Sequence, residues 1–76
     1  SKKMEFIAME EIATAVNHVV KDAIAISPED AVPLVAKVLG FARATEEMRK
    51  YILESVEFSI QQGNIVKTGE LLKMKN

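Results

Sequence analysis

The sequence predicts a mainly α-helical α+β domain in which three helices precede a C-terminal β-hairpin. Two consecutive segments, 27–40 and 45–63, each start with a helix-capping residue and end on a glycine. In the segment before them, apolar residues recur at three- and four-residue steps, which is the period of a helix. After Gly63 the pattern changes to two short apolar runs around Thr68-Gly69, as in a tight hairpin.

The first predicted helix begins near Met9. Its expected core face consists of six apolar residues: Ile12, Val16, Val19, Val20, Ala23 and Ile24. Glu10 and Glu11 lie on the first turn, where negative charge favours the positive end of a helix. The single histidine, His18, has no partner at metal-ligand spacing, so we expect a structural or surface role.

The second helix carries strong start signals and one anomaly. The Ser27 hydroxyl can accept from a free backbone N–H, and Pro28 suits the first helical position. Pro33 lies past the free N–H positions, so it predicts a loose or 3₁₀ first turn. The alternative is a shorter helix over residues 32–39.

Thr45 followed by Glu46-Glu47 repeats the start signal for a third helix. Gly40 and Gly63 suit the left-handed residue that closes a helix. The link between the second and third helices is short, Phe41-Ala42-Arg43-Ala44, which indicates a helix-turn-helix.

Residues 64–74 predict two strands with Thr68-Gly69 at the turn. In this register Lys67 faces Glu70, Val66 faces Leu71 and Ile65 faces Leu72. A lone hairpin is marginal in water, so it must pack on the helices. Three helices followed by a hairpin is the order of a winged helix-turn-helix, with Ala25-Ile26 as the small strand that pairs with the hairpin edge. A three-helix bundle with a frayed tail is the competing fold.

We expect a single winged-helix-like domain over residues 9–76, preceded by a lead-in over residues 1–8. Phe6 and Ile7 are the lead-in residues expected to dock on the body. Ser1 before an internal methionine is typical of a cloning remnant, which would make the chain an excised domain of a larger protein.

Composition excludes several classes of protein. The formal net charge is −1, without the basic excess usual in freestanding nucleic-acid binders. Residues 41–76 are slightly basic, with six Lys and Arg against five acids. There is no cysteine, so a disulfide framework and a thiolate metal site are excluded. No apolar run approaches the ~18 residues of a membrane span, and no signal-peptide pattern is present, so we expect a cytoplasmic protein.

The candidate nucleic-acid-binding residues are Arg43, Arg49, Lys50, Lys67 and Lys73. Arg43, in the link, suits a phosphate contact, or else a cap on helix carbonyls or a pair with an acid. Arg49 and Lys50 lie on the exposed face of the third helix, where neighbouring glutamates make a mixed solvated face the alternative. Lys67 and Lys73 lie on the wing, where lysine also protects a strand edge.

Paired carboxylates occur only at helix starts, where the helix dipole explains them: Glu10-Glu11, Glu29-Asp30 and Glu46-Glu47. No histidine, cysteine or hydroxyl nucleophile is positioned with them. We therefore expect no enzyme activity, no catalytic residue, no metal, no cofactor and no small-molecule substrate.

An ordered series of short motifs runs along residues 9–66: Glu11-Ile12-Ala13, Val19-Val20, Ile26 with Glu29-Asp30, Val35-Ala36, Gly40-Phe41-Ala42-Arg43, Ile52 to Ile60, and Gly63-Asn64-Ile65. The series resembles a small uncharacterised C-terminal domain of large bacterial helicase-related proteins. In those proteins the domain accompanies a superfamily I type ATPase core and often a nuclease-like domain. Pro33 departs from the family pattern, which has an ordinary helix former there.

The resemblance implies a non-catalytic accessory domain of a DNA helicase-related protein, which binds or positions nucleic acid through the third helix and wing. No Walker-type phosphate loop occurs in this chain, so the motor would belong to other parts of the parent. The alternative is a protein-interaction module, which the near-neutral charge and the acids of the third helix favour. The expected partners are DNA or other domains of a larger parent chain, and no membrane.

Overall fold

The computed structural model describes residues 3–76 and contains three helices followed by a two-stranded antiparallel sheet. The elements are α1 (Met9–Ala23), α2 (Pro28–Val38), α3 (Glu46–Gln61), β1 (Ile65–Thr68) and β2 (Leu71–Met74). The predicted order of three helices and a C-terminal hairpin is confirmed, and the frayed-tail alternative is wrong. The cloning remnant predicted at Ser1 lies outside the described residues.

The predicted caps of α2 and α3 are both present. The Oγ of Ser27 accepts a hydrogen bond from the backbone N–H of Asp30 at 3.1 Å. The Oγ1 of Thr45 accepts one from the backbone N–H of Met48 at 3.2 Å. Each bond satisfies one of the donors that the first turn of a helix leaves free, so both helices begin where the sequence predicts.

The glycines after α2 and α3 close these helices as predicted. Gly40 and Gly63 have φ values of +96° and +81°. At the end of α2, the N–H of Gly40 donates to the carbonyl of Lys37 and the N–H of Phe41 to that of Ala36, both at 2.9 Å. This is the Schellman arrangement, and the same two bonds recur around Gly63.

The α2 helix is more regular than Pro33 predicts. The backbone N–H of Ala31 donates to the carbonyl of Ser27 at 3.0 Å, which is the four-residue step of an α-helix. The expected 3₁₀ turn and the shorter alternative helix are therefore both wrong. Pro33 lies on the exposed side of α2, and the Ser27 cap and the burial of Ala31 hold the turn that precedes it.

The α1 helix ends earlier than its apolar pattern predicts. Ile24 is the C-cap residue, with φ +72° and ψ −53°, and its side chain is 79% exposed. Ala23 is exposed as well. The prediction that these two residues extend the core face is wrong: the chain leaves the helix at Ile24, and Ala23 is exposed on the last turn. A β-branched residue at positive φ is strained, since its Cβ crowds the backbone.

The hairpin forms in a different register from the predicted one. Lys67 lies opposite Leu72, and Thr68 lies opposite Leu71, so the loop is Gly69-Glu70 and the predicted pairing is wrong. Gly69, at the first loop position, has φ +63°, whereas the φ of Glu70 is not positive. A glycine at the first loop position is the pattern of a type II′ turn. The shift is two residues, so every side chain stays on its predicted face.

Ile26 pairs with the outer edge of β2. Its N–H donates to the carbonyl of Leu72 at 3.1 Å, and the N–H of Leu72 donates back at 2.7 Å. The predicted small strand at Ala25-Ile26 is thus present as a single antiparallel bridge. This bridge ties the connection between α1 and α2 to the hairpin.

The core lies between the three helices and is closed by the hairpin. Its fully buried apolar side chains come from every element: Val16, Val20, Val35, Ile52, Ile65 and Leu72. Two buried serines of α3 bond to α1: the Oγ of Ser55 donates to the carbonyl of Met9 at 3.4 Å, and the Oγ of Ser59 donates to the Oδ1 of Asn17. Buried hydroxyls with partners avoid the cost of unsatisfied polar groups.

The lead-in contributes one core residue. Met4 is 4% exposed and packs in the same cluster as α1 and α3, within the short 3₁₀ helix Met4–Phe6. Ile7 is half-buried, as expected, whereas Phe6 is 78% exposed and does not dock.

The strain at Ile24 predicts an unusual stabilising substitution. Ile24→Gly should raise the free energy of unfolding by about 1 kcal/mol. Positive φ costs an ordinary residue ~1–2 kcal/mol, and the added freedom of glycine in the unfolded chain offsets ~0.5–1 kcal/mol. Gly63→Ala should lower the free energy of unfolding by about 1 kcal/mol. No atom lies within 4 Å of the added Cβ, so this loss comes from backbone strain at positive φ. Urea denaturation measures both, and a less stable Ile24→Gly protein would contradict this account.

Candidate nucleic-acid interface

Arg43 lies in the link between α2 and α3 with its side chain exposed. The carbonyls at the end of α2 accept from Gly40 and Phe41, so Arg43 does not cap them. Within residues 3–76, Arg43 makes no ion pair or hydrogen bond through its side chain. Its guanidinium is therefore available to an anion.

Arg49 is engaged by a neighbouring helix. Its Nε donates to the Oε1 of Glu29 at 3.1 Å and its Nη2 to the Oε2 at 2.6 Å, which is the two-pronged geometry preferred by guanidinium and carboxylate. Glu29 lies on the first turn of α2, so the pair links the starts of α2 and α3. A phosphate would have to compete with Glu29 for this side chain.

The Glu29 carboxylate also shifts the pKa of Arg49. Its hydrogen bond and then its negative charge raise the pKa of Arg49 above the usual value, with a smaller contribution from Glu46. Because this pKa is higher in the folded than in the unfolded protein, the charged Arg49 stabilises the fold at every pH below its ordinary pKa. This contribution to stability is lost only as the pH rises through the higher, folded-state pKa. That range is far above neutral pH, so salt, rather than pH, is the condition that weakens this exposed pair.

Lys50 lies in an acidic stripe along the exposed side of α3. The stripe consists of residues at three- and four-residue steps: Glu47, Lys50, Glu54, Glu57 and Gln61. Glu47 and Glu54 are the helix neighbours of Lys50, and residues three and four apart face each other. A phosphate that approaches Lys50 along this helix therefore meets two carboxylates beside it.

Lys67 and Lys73 lie on opposite faces of the hairpin. Lys67 is paired with Leu72, whose side chain is buried, so Lys67 is on the face that packs against the helices. Lys73 is paired with Val66 and is on the outer face. Both are exposed, but one flat surface cannot contact both from the same side.

The five candidate residues thus do not form one basic surface in the part of the chain that the structure describes. Arg43 is free, Arg49 is paired, Lys50 is flanked by acids, and the two hairpin lysines diverge. Their role in nucleic-acid binding stays a prediction.

A groove between α1 and α2 is the feature that the sequence did not reveal. Leu34 and Val38 of α2 are 43% and 50% exposed, although they belong to the apolar face of their helix. With Val19 and Ala23 of α1 they line a cavity of about 370 Å³. A second cavity of about 370 Å³ adjoins it and shares His18 and Val38.

The apolar residues of α2 spread over a wide arc, and this width is the sequence feature that could have indicated the groove. At about 100° per residue, the apolar residues from Ala31 to Leu39, leaving out Pro33, cover an arc of roughly 200°. Ala31 and Val35 are fully buried, whereas Leu34 and Val38 lie at one edge of the arc. An arc wider than one packing face leaves a margin exposed.

His18 is on the surface, with its side chain 60% exposed and its Nε2 3.4 Å from the Oδ2 of Asp22. Among residues 3–76 no three carboxylate, imidazole or thiol side chains are close enough to hold a metal ion. None of the described helices combines the length and the apolar character needed to cross a bilayer.

Comparison with models of known protein families, with curated proteins and with solved structures finds no match to this chain. The resemblance to helicase-related proteins therefore stays a prediction.

The ion pair between Glu29 and Arg49 predicts a salt-dependent loss of stability. Glu29→Gln should lower the melting temperature at low salt more than Asp30→Asn does. Both substitutions remove an acid from the first turn of α2, but only Glu29 holds an arginine. The difference should disappear near 1 M salt, where the screening length falls to about 3 Å. Equal losses at low salt would mean that only the helix dipole acts.

Proposed function

We propose that this chain is a non-catalytic accessory domain that binds a protein, either another domain of a larger parent chain or a partner. The observation that carries the proposal is the groove between α1 and α2, in which Leu34 and Val38 remain about half exposed after folding. Apolar surface that a folded domain leaves in a concave site is a common mark of protein or ligand binding.

The winged-helix arrangement is part of the same proposal. Three helices, a bridge at Ile26 and a C-terminal hairpin support it. The resemblance to helicase-related proteins supports a parent of that class. The fold alone does not select a ligand, because one fold carries many unrelated functions.

Nucleic-acid binding is the second candidate, and the free guanidinium of Arg43 favours it. Arg43 lies in the link of the helix-turn-helix, beside the start of α3, where phosphate contacts are made in such modules. Lys50 and one wing lysine would add contacts. An interface of so few cations, next to the acids of α3, would be weak and sensitive to salt.

Photo-crosslinking tests the proposed protein docking in the protein as its own cells make it. A benzophenone amino acid is placed, one position at a time, at Val38 on α2, Lys50 on α3 and Lys73 on β2, all exposed. We expect a discrete protein adduct, unaffected by nuclease, from at least one position. Adducts that only nuclease removes would overturn the proposal and support the second candidate.

A titration of the isotope-labelled domain with duplex and single-stranded DNA tests the second candidate. If it holds, amide shifts at low salt lie near Arg43, Lys50 and the hairpin, and Arg43→Ala weakens binding. The matched control is Lys21→Ala on α1, which removes an equal charge from a different surface. The logarithm of affinity should fall by about 0.9 per phosphate contact for each logarithm of salt. No shifts at about 50 mM salt would reject nucleic-acid binding.

A further inference from the structure

We propose that the groove between α1 and α2 receives an amphipathic helix of a protein partner, which carries basic side chains along the flank that faces α1. The inference rests on the proposed protein-docking function and names the surface and the chemistry of its occupant.

The shape of the groove fits one helix. The groove consists of two cavities that share His18 and Val38 and lie one after the other along α1. On the α1 side it runs from Glu11 to Ala23, roughly 18 Å at about 1.5 Å per residue, or about three helical turns. Helix-in-groove recognition uses apolar anchors over this kind of length.

The floor of the groove is apolar. Leu34 and Val38 are four residues apart on α2, so their side chains lie next to each other along the floor. Val19 and Ala15 of α1 are buried beside them. The two α2 side chains retain about half of their exposure. A partner with apolar residues spaced three and four apart would cover them, since this spacing places side chains on one face of a helix.

The rim of the groove is charged unequally. The α1 rim carries Glu11, His18 and Asp22, at helical spacing along the groove, and the α2 rim carries Lys37. At neutral pH the α1 rim is therefore negative and the α2 rim positive. Complementary charge sets the orientation and the association rate of a partner, so its basic flank belongs against α1.

A second copy of the chain fits the groove less well. A stable symmetric dimer buries about 800 Å² per partner, about one sixth of the 4897 Å² surface, and two half-exposed apolar side chains do not supply that. A two-fold dimer also brings identical patches together, and two concave patches do not fill each other. A single helix has the convex shape that the groove requires.

The test uses two synthetic helical peptides of about 14 residues, ~21 Å long. Both carry leucines spaced four and then three residues apart. One has lysines beside the leucines, and the other has glutamates at the same places. The isotope-labelled domain, residues 1–76, is titrated with each at about 50 mM salt. We expect the lysine peptide to shift the amides that line the groove and to bind about tenfold more tightly than the glutamate peptide, by a margin that shrinks in high salt.

Two leucines of nearly equal exposure provide the matched control. Leu34 in the groove is 43% exposed and Leu71 on the hairpin is 39% exposed. Leu34→Asp should weaken binding of the lysine peptide at least about tenfold, because it places a charge in the apolar floor, whereas Leu71→Asp should leave it unchanged. Val38→Thr, which keeps the side-chain shape, should give a smaller loss of affinity. It replaces Leu34→Asp as the test variant if Leu34→Asp does not fold.

The opposite results overturn the proposal. They are shifts confined to another face, equal affinity of the two peptides, or no binding of either. Sedimentation that shows a dimer abolished by Leu34→Asp would assign the groove to a second copy instead. If photo-crosslinking in cells still yields a protein adduct while the peptides fail, protein docking holds and only the groove is rejected. Nuclease-sensitive adducts alone would reject docking itself.

Discussion

The burial of the apolar face of α1 is the constraint on which the rest of the structure depends. α1 packs against α2, α3 and β2, so each other layer of the core is built on it. Its central residues Val16 and Val20 have no exposed surface. Because these side chains are short, the helices must lie close together, and removing one such side chain leaves a cavity that the neighbours cannot fill. The buried Ser55 and Ser59 of α3 complete this contact by bonding to α1, which fixes the position of α3 along α1 as well as its distance.

A second constraint fixes the hairpin to this helical body. A two-stranded hairpin is marginal by itself, but Leu72 is both buried in the core and bonded to Ile26 through two backbone hydrogen bonds. Ile26 lies only three residues after the end of α1, so the end of α1 and the hairpin hold each other in place. The left-handed turn at Ile24 directs the chain into this bridge. The strain at Ile24 is thus the local cost of joining the helical layer to the strands.

Local rules predicted the elements, and long-range packing decided where the prediction failed. Ser27, Thr45, Gly40 and Gly63 act through neighbours within a few residues, so their roles can be predicted from the sequence. The hairpin register could not, because Gly69 fits either position of a two-residue loop and both registers keep the same faces. Ile24 continues the helical period, and no periodicity shows that the helix ends there.

The candidate site was harder to predict for the same reason. Glu29 and Arg49 are twenty residues apart in sequence, and only the packing of α2 against α3 brings them together. The wide apolar arc of α2 indicates that some apolar margin stays exposed, but that Leu34 and Val38 form this margin depends on how far α1 covers α2. Sequence alone therefore located the charges correctly on exposed surfaces but could not tell a free cation from a paired one.

The surface that remains after folding supports binding to protein more than binding to phosphate. Folding pairs Arg49 with a carboxylate, flanks Lys50 with two more and places the two hairpin lysines on opposite faces, so each of these features reduces the positive field that nucleic acid requires. The same packing leaves Leu34 and Val38 uncovered and puts Ile24 in solvent at a backbone position where glycine would be less strained. Residues that disagree with the local requirements of a fold tend to be those that a function uses. Leu34 and Val38 are such residues, because they belong to the apolar face of α2 and stay about half exposed, and a partner that covers them would remove this disagreement. The backbone strain at Ile24 has its structural cause in the bridge to the hairpin.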